Sequence, residues 1–391
     1  MDTLTDKNAN LAQKLGLDVA LVHDWLTVPA GSEDVFKEVC NLYPGDVFTS
    51  QWDKERVTFI EHLPVHTSYV QDLPLALTKH YLYAPLLPSV YRSFPTDEFD
   101  LILSDSHSFA HAVPKRPGGL HINYYHTPAR SLWMPEIDDR ATSGKLAVLK
   151  RAVARQLKKL DLEASRNPDV IFANSNTTAD RIERFYGRKV NAVIYPPVDT
   201  AKWSDVKRQS EDLGFLVFGR LIGYKRVDLA IEACKQSGDW LQIVGSGPLE
   251  NELKAQAEGY DNIVFHGRLP DAELKDLMAQ CRALLFPGYE DFGIVPVEAM
   301  AAGLPVIAYA AGGASETVLP ECGALFREQT VDALLAAMDD LDTSKCEPAA
   351  LSRHASAYDR TVFRKRYQRF VDEAIEQHFS IVRSGVHAYA L

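Results

Sequence analysis

The sequence predicts an α/β chain built on two doubly wound parallel sheets, and three observations carry that prediction. Short β-branched and aliphatic runs alternate with helix-period patterns from one end of the chain to the other. The strand runs are nearly continuous in apolar residues, as strands covered on both faces require. At 391 residues the chain is also too long for one ordinary core, since domains average ~150 residues.

In the first half, strands are expected at 18–23, 101–104, 122–125, 170–173 and 190–194. In the second half they are expected at 214–218, 241–244, 263–266, 283–286 and 305–309. Helices fit 179–186, 227–236, 249–258, 271–280 and 296–302. The stretch 195–212 opens with two prolines, continues in charged and polar residues, and precedes a fresh strand, so it marks the boundary. The expected division is an N-terminal domain 1–205, a C-terminal domain 206–370, and a helical segment 371–391 that crosses back to the first. Doubly wound sheets bind ligands at the C-terminal ends of their strands, which makes the cleft between the halves the expected site.

Composition narrows the function. Apolar residues at 46% and charged residues at 24% are ordinary for globular proteins and set aside disorder and fibrous structure. With 42 basic and 53 acidic residues the formal charge is −11, which argues against broad binding to nucleic acid. The five cysteines are scattered without a CxxC pair, so neither a zinc framework nor a disulfide scaffold is expected. No signal-like leader and no apolar run approaching 18 residues is present, and a cytoplasmic location is expected.

The run 285–305 (LFPGYEDFGIVPVEAMAAGLP) is the most informative. A strand ends near Phe286, and a glycine-punctuated loop carries Glu290. Pro296 suits a first helical position, which sets Glu298 at the third, and Gly303 and Pro305 close the helix. The amides of Phe292, Gly293 and Ile294 lie between the two acids. Carboxylates accept hydrogen bonds from vicinal hydroxyls, and helix-start amides favour an anion, so the run suits a polyhydroxylated ligand with an anionic arm. A capping-box role for Glu298 and a solvated loop role for Glu290 fit the same residues.

The segment 218–226 (FGRLIGYKR) follows a strand directly and offers Arg220 and Lys225 beside Gly219. An arginine fork with a lysine point charge fits a diphosphate. Two solvated surface cations are the alternative, and a Walker A loop is excluded because no Gly-Lys-Ser/Thr is present. In the first half, 124–133 (YYHTPARSLW) sets His126 after a strand, where it serves either a sugar hydroxyl or the core. Residues 23–33 (HDWLTVPAGSE) form another strand-end loop, with Ser32 as an expected N-cap and Gly31 permitting close backbone approach.

These four elements in this order resemble the retaining glycosyltransferases of family 4. The acid pair Glu290-x7-Glu298 is similar to that family's EX7E motif, Gly219-Arg220 with Lys225 to its diphosphate loop, and His126 to its donor-sugar histidine. Asn174-Ser175, the turn at 195–199 (YPPVD) and the turn at 312–316 (GGASE) also sit where the family has signature turns. The resemblance covers about residues 18–370 and implies the GT-B fold, two Rossmann-like domains whose sheets face across a cleft, the first binding acceptor and the second nucleotide sugar.

The resemblance further implies that Arg220 and Lys225 bind the donor diphosphate, that Glu298 holds the ribose, and that Glu290 contacts the sugar with the Phe292 and Gly293 backbone. His126 would lie near the sugar, Arg268 near the nucleobase, and Gly31 near the phosphates. Ala30 stands where many relatives have a glycine, which bears on acceptor geometry. The wording of 125–133 and 290–298 is most like bacterial mannosyltransferases of surface polysaccharide synthesis, so GDP-mannose is the expected donor, with UDP-glucose next. Neither a resident cofactor nor a metal is expected. Other readings are a sugar phosphorylase, a nucleotide-sugar 2-epimerase, and a non-catalytic nucleotide-sugar-binding regulator.

One further run stands apart. Residues 145–160 (KLAVLKRAVARQLKKL) carry six basic residues and no acid, with Leu146, Leu149, Val153, Leu157 and Leu160 on one helical stripe. Such a helix either lies on anionic lipid at the inner face of the plasma membrane, near a glycan or polyprenyl-linked acceptor, or packs its stripe on the first domain.

Overall fold

The computed structural model describes residues 10–138, 147–209 and 212–388, with side chains described through 380. The chain divides into two compact units: the first runs to Tyr195 and resumes at Phe363, and the second is Pro196–Val362.

The first unit holds strands β1 (Val19–His23), β2 (Asp46–Thr49), β3 (Val65–Thr67), β4 (Leu101–Ser106), β5 (Leu120–Tyr125), β6 (Val170–Ala173) and β7 (Ala192–Val193). They form one sheet in the order β3-β2-β1-β4-β5-β6-β7 with every pairing parallel. The second unit holds β8 (Phe215–Phe218), β9 (Leu241–Val244), β10 (Ile263–Gly267), β11 (Ala283–Phe286), β12 (Val306–Tyr309) and β13 (Gly323–Phe326). Their order is β10-β9-β8-β11-β12-β13, again all parallel. In both sheets the order reverses beside the first strand of the unit, β1 or β8, and such a reversal opens a crevice at the C-terminal strand edge.

β1, β4, β5, β8, β9 and β11 are buried at every residue, as apolar runs covered on both faces should be. β4 and β5 are longer than expected. β4 continues through Asp105 and Ser106, and β5 begins at Leu120, because polar side chains inside this sheet find partners there: Ser104 Oγ lies 2.7 Å from His121 Nε2 and 2.6 Å from Asn123 Oδ1.

The division between the units falls earlier than residue 205. Val198 pairs with Asp359 through an isolated bridge, Thr200 donates to Asp359 at 2.6 Å, and Trp203 is buried, so the prolines at 196 and 197 open the second unit rather than close the first. The return also comes before residue 371. The helix Arg360–Ala388 sets Phe363, Tyr367, Val371 and Ile375 one turn apart, all at most 2% exposed, within the core of the first unit. Tyr43 Oη donates to Asp372 at 2.8 Å and Arg366 to the Val193 carbonyl at 3.1 Å, which fixes that helix in register.

Of the basic run, Lys145 and Leu146 lie outside the described residues. The helix Ala147–Ala164 buries Ala154, Leu157 and Ala164 and packs Val153 and Leu160 on the same core, so most of the stripe serves the fold. Val148 and Leu149 in its first turn are exposed, at 78% and 59%.

Candidate active site

In the second unit the site residues gather at the C-terminal strand edge. The exits of β8, β9 and β10 are stitched by backbone bonds: Gly219 N–H to Val244 O at 2.9 Å, Gly245 N–H to Gly267 O at 2.6 Å, and Leu221 N–H to Ser246 O at 3.1 Å. On these exits stand Arg220 and Arg268, both exposed, and Arg268 Nε donates to Ser246 Oγ at 2.8 Å. A short 3-10 turn, Gly223–Lys225, then doubles back toward β11, where Tyr289 N–H bonds Tyr224 O at 3.1 Å.

That contact joins the two loops carrying charge. Lys225 Nζ lies 2.6 Å from Glu290 Oε1, with each side chain about one-sixth exposed. The loop of Glu290 is held from behind by the Gly312–Gly313 turn, whose Gly313 N–H bonds Glu290 O at 3.0 Å. A Cβ on Gly313 would meet Phe292 Cα at 2.2 Å, so only glycine lets the turn come this close.

The helix after Glu290 starts earlier than the sequence suggests. It spans Ile294–Ala301, with Gly293 as N-cap in the left-handed region (φ +84°). Pro296 is therefore third and Glu298 fifth, one turn inside the helix and half-buried, rather than first and third. Proline is tolerated anywhere in the first turn because those N–H groups have no intrahelical acceptor. The early start leaves the Ile294 and Val295 amides as donors at the helix mouth, next to the Lys225–Glu290 pair in sequence and fold. Gly303 N–H to Met300 O and Leu304 N–H to Ala299 O, both 2.9 Å, close the far end.

In the first unit, His126 follows β5, its N–H bonding Ser106 O at 2.9 Å. Its Nε2 lies 2.6 Å from Asp105 Oδ1, and the same oxygen is 3.0 Å from His23 Nδ1 at the end of β1. Behind His23, Glu33 Oε1 is 3.9 Å from Nε2. Burial opposes charge here, yet the hydrogen bond to Asp105 and the nearby charge of Glu33 push the His23 imidazole up to about 10. Asp105 is likewise held down to about 2 by His126 and His23 against the cost of burial. Half-buried His107, near His23 and His126, is held below its ordinary value by desolvation. The β4 exit is rigid: the Asp24 carboxylate accepts four backbone N–H groups, from His107 to Ala110, at 2.7–2.8 Å.

Gly31 opens the helix Gly31–Leu42, whose N-cap is Ala30 and not Ser32. Ser32 instead donates its hydroxyl to Glu33 Oε2 at 2.8 Å, which steers Glu33 inward. Of the predicted residues, the second unit thus unites Lys225 with Glu290, and Arg220, Gly219, Arg268, Phe292, Gly293, Ile294 and Glu298 share its strand edge, while His126 and Gly31 belong to the first. Asp105, His23 and Glu33 went unnoticed. Their signal is the sheet order: β1 and β4 are adjacent with His23 paired to Asp105, although 82 residues separate them.

Residues 9–202 match the model for Glycosyltransferase Family 4, and residues 199–358 match that for Glycosyl transferases group 1. The chain belongs to glycosyltransferase family 4. It is similar to the glycogen synthase of Mycobacterium tuberculosis, 31% identical over 53% of this chain and 52% of that one. It is also similar to a GDP-mannose-dependent alpha-(1-6)-phosphatidylinositol monomannoside mannosyltransferase of Mycolicibacterium smegmatis, 30% identical over 52% of this chain and 61% of that one. The chain thus spans little more than half the length of these relatives. The crystal structure of Anabaena HepE in complex with UDP and glucose superposes with a TM-score of 0.65 at 22% identity, over 90% of this chain and 98% of that one. The fold of this family 4 chain is GT-B.

Proposed function

We propose that this family 4 chain is a retaining glycosyltransferase that moves a sugar, with GDP-mannose the favoured donor, onto a glycan or lipid-linked acceptor. The observation that carries the reading is the Lys225–Glu290 pair at 2.6 Å beside the open mouth of the helix Ile294–Ala301. A cation, a carboxylate and free amides meet there, which is what a nucleoside diphosphate joined to a sugar requires. Mannose is favoured by the likeness to a GDP-mannose-dependent enzyme; a UDP-glucose-type donor is the second reading.

The demanding event is departure of the nucleoside diphosphate from the anomeric carbon. Lys225, Arg220 and the amides of Gly293 and Ile294 stabilise the negative charge that builds on the leaving group. Glu290 orients the sugar hydroxyls with the Phe292 and Gly293 backbone, Glu298 holds the ribose, Arg268 serves the base, and Gly31 comes close to the phosphates. The acceptor hydroxyl attacks from the face the diphosphate leaves, and a donor phosphate oxygen takes its proton. The cationic groups carry the charge a metal would otherwise carry, so turnover proceeds without one. His126 contacts the sugar.

The same reading sets the chain at the cytoplasmic face of a membrane, touching anionic lipid through Val148 and Leu149. In support, among the described residues no helix is long and apolar enough to cross a membrane, and these two apolar side chains are exposed beside Lys150 and Arg151.

The test is a panel of GDP-mannose, GDP-fucose, UDP-glucose, UDP-galactose, UDP-N-acetylglucosamine and ADP-glucose, each incubated with and without EDTA. Fastest release of sugar from GDP-mannose, unchanged by EDTA, is expected. Preference for a uridine donor overturns the mannosyl assignment, and loss of turnover in EDTA overturns the cationic diphosphate site.

A further inference from the structure

The first unit ends β1, β4 and β5 on a line of titratable groups: Glu33, His23, Asp105 and His126. One oxygen, Asp105 Oδ1, serves both histidines, at 3.0 Å from His23 Nδ1 and 2.6 Å from His126 Nε2. The other, Oδ2, is buried and without a hydrogen-bond partner among the described residues. Asp105 and His23 are fully enclosed and Glu33 is 5% exposed, whereas the His126 side chain keeps 12% exposure. The line is thus buried toward Glu33 and most open to solvent at the His126 imidazole.

We propose that Asp105, backed by His23 and Glu33, is a positioning residue that fixes the His126 ring with Nε2–H on the carboxylate and Nδ1 as acceptor for a substrate hydroxyl. The proposal rests on the reading that His126 meets the sugar. A carboxylate accepts and cannot donate, so the ring nitrogen facing it must carry the hydrogen, and in the neutral ring the other nitrogen is then a lone-pair acceptor. The same bond stops the ring from flipping. Tyr124 meets the ring edge-on at 5.2 Å between centroids, and the His107 ring lies 6.2 Å away.

The groups around this line sustain it. His23, charged between Asp105 and Glu33, keeps Asp105 ionised despite full burial. Asp24 and Tyr367 also act on its members, Asp24 drawing charge toward His107 and Tyr367 sensing Asp105 from the last helix. A backing pair of this kind makes an ionised carboxylate affordable where an isolated one would take up a proton.

The decisive experiment combines ring NMR with kinetics on the full-length chain. In the wild type, side-chain ¹⁵N shifts should show His126 protonated at Nε2 at neutral pH. Asp105→Asn keeps the shape but offers either an acceptor or a donor, so the shifts should report a tautomer mixture. That variant should lose at least tenfold in kcat with little change in KM. Asp105→Glu should recover part of kcat. A wild-type ring protonated at Nδ1, alone or together with Nε2, overturns the proposal even if no Asp105 variant folds. A folded Asp105→Asn with unchanged kcat and ring shifts overturns it too. Full turnover by His126→Ala instead removes the reading beneath it, while the wild-type ring shifts still report whether Asp105 sets the tautomer.

Discussion

Lys225 Nζ and Glu290 Oε1, 65 residues apart, sit 2.6 Å from each other because a 3-10 turn and a glycine-backed loop bring two strand exits together. Glu290→Ala should leave the fold intact, since the carboxylate sits on a loop, and should nearly abolish transfer. Loss of one charged hydrogen bond used in the transition state costs roughly 3 kcal/mol, about a hundredfold in rate. Retention of most of the kcat would remove Glu290 from the site.

The two cations should behave differently from the acid. Lys225→Ala and Arg220→Ala are expected to weaken binding of the free nucleoside diphosphate as well as turnover, read by calorimetry. Arg220 is exposed, so its loss should not lower the melting temperature. Unchanged affinity in both variants would sink the diphosphate assignment.

Gly313 tests the scaffold behind Glu290. A Cβ there meets Phe292 Cα at 2.2 Å, so Gly313→Ala must push the 290–292 backbone away from its position. Overpacking of this kind costs about 1–3 kcal/mol, and donor affinity should fall at least tenfold. Gly223→Ala is the control, because a Cβ there finds open space. Equal donor affinity in the two variants would show that the Gly312–Gly313 turn does not set the loop.

The His23–Asp105 pair predicts how stability follows pH. His23 rises from 6.5 to about 10 on folding, so its contribution is complete below pH 6.5 and drains away as pH climbs through 10. Asp105 drops from 3.8 to about 2, so its contribution is present above 3.8 and is lost as pH falls through 2. Thermal melts from pH 6 to 10 should show wild type losing its advantage over His23→Asn as pH rises. A constant gap across that range would mean His23 is not charged in the fold.

Lipid contact is checked by flotation with vesicles containing or lacking anionic phospholipid. Salt-sensitive recovery in the anionic vesicles is expected for wild type, and Val148→Ser with Leu149→Ser should abolish it without changing the melting temperature, because both are exposed. Equal recovery of wild type and variant would leave this helix turn without a part in it.

How much of this was written in the sequence depends on distance along the chain. Glu290, Gly293 and Glu298 lie within nine residues, so their loop-to-helix arrangement was legible, and only the helix start was misplaced. Proline read as a first residue because its preference there is strong, but Gly293, free to turn left-handed, opens the helix sooner. Ser32 resembled a cap for a similar reason, yet Ala30 supplies the extended backbone and Ser32 turns to Glu33. Asp105 was hidden more deeply. The expected strand stops at Ser104, and only the neighbouring strands reveal that Ser104, Asp105 and Ser106 each find a partner inside the sheet.

The helix beginning at Arg360 sets a timetable for the ribosome. Phe363, Tyr367, Val371 and Ile375 emerge after the thirteen strands among the described residues have been made, yet they complete the core around β1, β2 and β4. The second unit can close on itself during synthesis, while the earlier-made unit must wait with an apolar socket open. Nascent chains stalled before residue 363 should therefore recruit chaperones at the first unit and not at the second, an inversion of the usual order in which N-terminal domains finish first.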